Sequence, residues 1–174
     1  PTIYVNNLYE EYERTGKYEE VIRIAVCDDL KEDRDILIKI LSEYLDQNNL
    51  YAEVDEFISG EAFLASDISR YRLVFLDIFM DKLNGMETAK KLIRENHKVQ
   101  IVFASTSIDF AAEAFTIEAL HYIVKPIKEK QVYGVLDKFF DSFYSMRTIE
   151  VKVGRMEESI YISDILYIEA KGKK

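Results

Sequence analysis

One run of apolar residues that ends on a single acid sets the terms for this chain. It reads Leu73-Val74-Phe75-Leu76-Asp77 and continues Ile78-Phe79-Met80-Asp81-Lys82-Leu83-Asn84-Gly85-Met86. An apolar run closed by a polar turn and followed by a helical pattern is the mark of a strand buried on both faces of a parallel sheet. Such a strand carries its terminal carboxylate to the rim of the sheet. A charge there is costly unless it is solvated, paired or bound to a metal. Two other places supply partners: Asp28-Asp29, after the strand pattern Ile22 to Cys27, and Lys125-Pro126, after Tyr122-Ile123-Val124.

The same alternation runs through most of the chain. Apolar residues at Ile36, Leu37, Ile40, Leu41, Tyr44 and Leu45 recur at helical spacing. A strand pattern over Tyr51 to Phe57 and a short helix over Glu61 to Ala65 follow. Met86, Ala89, Leu92 and Ile93 predict the next helix, and Gln100 to Ala104 a fourth strand ending in Ser105-Thr106-Ser107. Phe110, Ala111, Ala114 and Phe115 fit a further helix. His121 to Val124 reads as a fifth strand, and Val132, Val135, Leu136, Phe139, Phe140 and Phe143 mark a long amphipathic helix. Five strand–helix alternations predict a parallel sheet with helices on both faces. Right-handed crossovers and a flavodoxin-like, doubly wound strand order of 2-1-3-4-5 place the ends of strands 1 and 3 side by side, where Asp28, Asp29 and Asp77 converge.

Both ends of the chain differ from this pattern. Residues 1–20 hold Tyr4, Tyr9, Tyr12 and Tyr18 among Glu10, Glu11, Glu13, Glu19 and Glu20, and are expected to form a mobile leader. The alternating domain is expected over residues 21–146. Residues 147–174 read as a short β-rich C-terminal fragment, too small to bury a core of its own.

Charge and composition exclude several classes. The formal net charge of −9 gives no overall basic footprint for nucleic acid. A single cysteine, Cys27, allows no intrachain disulfide framework. No apolar run approaches the ~18–20 residues that span a membrane, and residues 1–20 are too polar and acidic for a signal peptide. The expected location is the cytoplasm, with no membrane partner.

Three carboxylates within a few ångströms cannot all stay ionised without a counter-charge. A hard divalent cation such as Mg²⁺ solves this with carboxylates, a carbonyl, waters and phosphate oxygens. Lys125 adds a positive charge and Ser105 a hydroxyl. The set fits stabilisation of a phosphoryl group on a carboxylate nucleophile. Asp77, alone on the central strand, is the natural nucleophile.

At these residues the chain resembles the response-regulator receiver domain of two-component signalling, over about residues 22–145. The Asp28-Asp29 pair, Asp77 with Gly85 eight positions on, Ser105 and Lys125-Pro126 fall in order. The resemblance implies phosphorylation of Asp77 by a sensor histidine kinase. It implies Mg²⁺ held by Asp29, Asp77 and the backbone carbonyl of Phe79, with Asp28 acting mainly through water. Ser105, rather than the adjacent Thr106, is the hydroxyl that moves toward the phosphoryl group, and Lys125 pairs with it. The bond before Pro126 is expected to be cis, and Tyr122 matches the aromatic switch position. Phe79 and Ser107 border the path of an attacking water, so a bulky Phe79 is expected to lengthen the phosphorylated state.

Ala111-Ala112-Glu113-Ala114-Phe115 and His121-Tyr122-Ile123-Val124-Lys125-Pro126-Ile127 are similar to receivers of the LytTR class. Ile162 to Ala170 resembles the opening of the LytTR DNA-binding domain. The resemblance implies a transcriptional regulator in which phosphorylation pairs two receivers through the fourth helix, fifth strand and fifth helix. DNA is then contacted only through a full-length output domain. Two other readings stand beside it. One is a stand-alone receiver acting by protein interaction or phosphotransfer. The other is a Mg²⁺-dependent phosphatase, disfavoured because Phe79 occupies the position of its second acid. The expectation is that the chain is not a conventional enzyme, and catalyses only its own phosphorylation and dephosphorylation.

Overall fold

A computed structural model of the chain describes residues 21–81, 83–95 and 98–145, and the backbone of 148–153 and 156–161. The expected leader, 1–20, and the Ile162 to Ala170 phrase lie outside the described residues. Residues Val21–Phe139 form one compact unit. Its sheet contains β1 (Ile22–Cys27), β2 (Ala52–Phe57), β3 (Tyr71–Asp77), β4 (Gln100–Ser105) and β5 (His121–Val124). All neighbours run parallel, in the order β2-β1-β3-β4-β5. The expected doubly wound order is therefore found.

The crossovers are α1 (Lys31–Gln47), α2 (Gly60–Leu64), α3 (Gly85–Glu95) and α4 (Ala111–Thr116), and α5 (Glu129–Ser145) follows β5. β3 is central and buried along almost its whole length, which explains its unbroken apolar run. Alternate residues feed opposite faces. Val74 and Leu76 join Phe63, Met86, Ala89, Leu92, Phe103 and Ala114 in one core layer. Leu73 and Phe75 alternate with them and are equally buried. On α1 and α5, Leu37, Leu41, Val132 and Leu136 are buried. Tyr44 of α1 donates to Asp137 Oδ1 of α5 at 2.7 Å, and its ring meets Tyr133 edge-on at 5.0 Å.

Local signals set where helices begin. The Ser59 hydroxyl accepts from the Ala62 N–H at 3.2 Å, and the Asn84 side-chain oxygen accepts from the Glu87 N–H at 2.9 Å. Both satisfy first-turn donors that the helix leaves unpaired. The acids after β1 do not cap α1. Leu30 holds that place without a side-chain bond. Gly85 is required by space: a Cβ there would sit 2.0 Å from the Asp77 carbonyl oxygen.

Several expectations need correction. Ile36 and Phe115 were placed on apolar helix faces, yet both are exposed, Phe115 by 84%. Phe110 precedes α4 as its N-cap instead of lying within it. Tyr51 is exposed and lies ahead of β2, which is half-buried along most of its length instead of alternating, because it is an edge strand. Beyond α5, β6 (Thr148–Val153) and β7 (Met156–Tyr161) form an antiparallel pair.

Candidate functional site

Three strand ends meet at one edge of the sheet. β1 and β3 are paired neighbours, so the residues that follow Cys27 come beside Asp77. Asp28, Asp29 and Asp77 each offer a carboxylate oxygen within 4.8 Å of the others. Asp28 and Asp77 are buried, and Asp29 is exposed. The trio is the group of acids the sequence brings together.

Asp28 is fixed from several sides. Its N–H donates to the Phe57 carbonyl at 3.1 Å, and its Oδ1 accepts from the Leu30 N–H at 2.9 Å. Its carbonyl accepts from the buried Arg34 guanidinium at 2.7 Å. Lys125 follows β5 and reaches back over the strand ends. Its Nζ lies 2.7 Å from Asp28 Oδ2, 2.7 Å from Asp33 Oδ2 and 3.3 Å from Asp77 Oδ1. The longest of these contacts is an ion pair and not a well-formed hydrogen bond. Asp77 Oδ1 is therefore a buried carboxylate oxygen without a hydrogen-bond partner.

Burial dominates the electrostatics. It pushes the Asp77 carboxyl up to about 6; the Lys125 charge opposes this, and the Asp28 charge adds to it. Asp28 is also raised by burial, against the hydrogen bond from Lys125. Burial pulls Lys125 down, but its bonds to Asp28 and Asp33 more than reverse that and leave it above the usual lysine range. The thiol of Cys27, next to the trio, is pushed up to about 12, chiefly by burial. Its sulfur lies 3.7 Å from that of Met80, so it is a packed, inert group.

The other predicted residues surround this centre. Ser105 closes β4 and is fully buried; its Oγ accepts from the Ser107 N–H at 3.3 Å. Asp77 is paired in register with Ala104, one residue before it. The Tyr122 hydroxyl donates to the Ser107 carbonyl at 2.5 Å, tying β5 to the loop after β4. The Ser107 hydroxyl is engaged with Asp109, to which it donates at 2.7 Å. Phe79 is half exposed, and its ring meets that of Phe110 edge-on at 5.5 Å. The Lys125–Pro126 peptide is cis.

The donor set suits a hard divalent cation. It offers carboxylate oxygens alone, one of them buried and unsatisfied, at a place where negative charge exceeds what one lysine neutralises. Asp33 and Arg34 escaped the sequence reading. In the sequence Asp33 is one acid of a polar stretch, residues 28–33, that offers several potential helix caps. Its spacing of four from Asp29 was the available signal, since the first turn of α1 carries it back toward the strand ends.

A doubly wound five-stranded sheet, with acids just after its first strand and at the end of its third and a lysine just after its fifth, defines a class of protein. Residues 25–137 match the family model for the response regulator receiver domain, and the chain belongs to that family. Among curated relatives, it is 32% identical over 120 residues to the sensory transduction protein LytT of Bacillus subtilis, covering 68% of this chain and 48% of that protein. It is 30% identical over 164 residues to LytT of Bacillus cereus, covering 85% and 65%. The transcriptional regulatory protein YpdB of Escherichia coli is 32% identical over 119 residues, covering 60% and 49%. The chain thus spans from about half to 65% of the length of these relatives. Among solved structures, the BeF3-activated DrrB receiver domain matches with a TM-score of 0.57 at 26% identity, over 70% of this chain and 98% of that one. The receiver domain of AraT from Geobacillus stearothermophilus matches with a TM-score of 0.61 at 19% identity, over 71% and 95%, and shows the fold alone.

Proposed function

We propose that this protein is a phosphorylation-controlled switch of the LytTR class that accepts a phosphoryl group on Asp77 from a sensor histidine kinase. The observation that carries this reading is the buried, unsatisfied Asp77 Oδ1 beside Lys125 and the acid pair. In the transfer, a carboxylate oxygen of Asp77 forms a bond to phosphorus. The bond from phosphorus to the histidine nitrogen breaks, and its electron pair stays on the imidazole. The product is an acyl phosphate on Asp77.

Bound Mg²⁺ would be held by Asp29, Asp77 and the Phe79 carbonyl, with Asp28 acting mainly through water, and it would supply neutralisation of charge on the phosphoryl oxygens. Burial of Asp77 excludes competing water. Lys125 turns its ammonium toward the new phosphoryl oxygens. The Ser105 hydroxyl donates to one of them, which draws in the loop that Tyr122 holds through Ser107. Phosphorylation shifts an equilibrium between two arrangements of that loop. The active arrangement pairs two receivers through α4, β5 and α5, and transcription is controlled through a DNA-binding output domain in the cytoplasm. The name of the YpdB relative, a transcriptional regulatory protein, supports this output, and the β6–β7 pair after α5 is compatible with its start. The protein acts as a signalling receiver and not as a conventional enzyme.

The test is binding of beryllofluoride, a phosphoryl mimic, followed by fluorine NMR with Mg²⁺ present. Wild type is expected to give a bound signal that Asp77→Asn abolishes. A wild type without that signal would overturn the reading.

A further inference from the structure

The Lys125 ammonium has three protons, and three acids surround it. Its two short contacts, at 2.7 Å, go to Asp28 and Asp33; the contact to Asp77 is 3.3 Å. Asp33 stands apart from the trio of possible metal ligands. It projects from the first turn of α1, and its side chain is 25% exposed, against 6% for Lys125 and 4% for Asp77. Where an ammonium is shared among carboxylates, its position follows the balance of their pulls, and these are strong where water is scarce. Two acids thus lie 2.7 Å from Nζ, closer than Asp77 at 3.3 Å.

We infer that Asp33 is a positioning residue that holds Lys125 back from Asp77 and thereby weakens the site's grip on a phosphoryl group. The inference rests on the phosphoacceptor reading above. A phosphoryl group on Asp77 presents several charged oxygens, and Lys125 must turn protons toward them. The contact released at least cost is the one to Asp33, because water can take over the more exposed carboxylate. Asp33 also adds a negative charge that repels the incoming group. Both effects favour the unphosphorylated state, and neither requires Asp33 to touch the reacting atoms.

The experiment uses the full chain and titrates beryllofluoride at saturating Mg²⁺. It compares wild type with Asp33→Asn, which keeps the shape and removes the charge, and with Asp33→Glu, which keeps the charge. The Asp33→Asn variant is expected to bind the mimic about threefold more tightly or better, and Asp33→Glu to return toward wild type. The proton–nitrogen signal of the Lys125 ammonium is expected to shift in unliganded Asp33→Asn but not to the same extent in Asp33→Glu. Unfolding midpoints confirm that each variant is folded. If wild type binds the mimic and Asp33→Asn binds it equally or more weakly, the role of Asp33 is overturned while the phosphoacceptor reading stands. If wild type does not bind the mimic, the phosphoacceptor reading falls, and the role of Asp33 with it.

Discussion

Asp77 is a carboxylate kept where the fold itself would prefer a neutral group. Its ordinary value of 3.8 is pushed up to about 6 by burial, against the pull of Lys125. Between about pH 4 and pH 6 the folded chain therefore keeps a proton that the unfolded chain releases. Stability falls as pH rises through that window, and the full cost is present above it. Asp28 is shifted in the same direction and adds to the same slope. In the absence of divalent cations, Asp77→Asn is expected to be more stable than wild type at pH 7 by about 1–2 kcal/mol, or roughly 2–4 °C in midpoint per kcal/mol. The advantage should shrink toward pH 4. Thermal unfolding of both proteins across pH 4–8 checks this; parallel curves would contradict it. The place of Asp77 at the end of a buried central strand was legible because an apolar run ended on one acid. Asp33 was not, since a helical acid shows in sequence neither its distance nor its angle to a lysine 92 positions later.

The loops at the strand ends are joined by side chains from different elements. The rings of Phe79, after β3, and Phe110, at the start of α4, meet edge-on. Lys90 of α3 pairs with Glu113 of α4 at 2.7 Å. These contacts hold the short helix α4 beside the acceptor loop. On the proposed function, the half-exposed Phe79 ring is expected to shield a phosphoryl group on Asp77 from water. Phe79→Asn is expected to shorten the lifetime of the phosphorylated state several-fold by this shielding argument. The measurement is loss of phosphoryl after a small-molecule donor is removed; an unchanged rate would discard the shielding role. The number of strands and helices followed from periodicity, and the strand order from right-handed crossovers and the flavodoxin-like doubly wound pattern. Exposure did not follow: Ile36 and Phe115 keep helical spacing but face solvent. Periodicity gives a face, and only packing decides whether that face is covered.

At the scale of the whole molecule, the proposed output depends on association. Phe115 and Ile108 are exposed apolar residues on or next to α4, at 84% and 61%, and β5 is an edge strand. Such residues suit a surface that is covered only in one state. Light scattering is expected to show a monomer that becomes a dimer when beryllofluoride and Mg²⁺ are added, with Asp77→Asn remaining monomeric. A dimer under every condition would separate association from phosphorylation. The alternating strands and helices made the receiver unit readable as a whole, because each local period agrees with the global sheet.

The missing side chain at Gly85 has a mechanical meaning. The first residue of α3 presses a bare Cα toward the Asp77 carbonyl, and its N–H donates to the Ile78 carbonyl at 3.0 Å. The main chain at the acceptor is thus clamped between strand and helix like work held in a vice. A load applied to the Asp77 side chain finds no slack in the backbone beneath it. On the proposed function it is expected to pass sideways, to Lys125 at 3.3 Å and to the loop between β4 and α4, where the Ser105 hydroxyl accepts from the Ser107 N–H at 3.3 Å. The strand that carries Asp77 is then the fixed part of the machine, and the loop between β4 and α4 is the part expected to move.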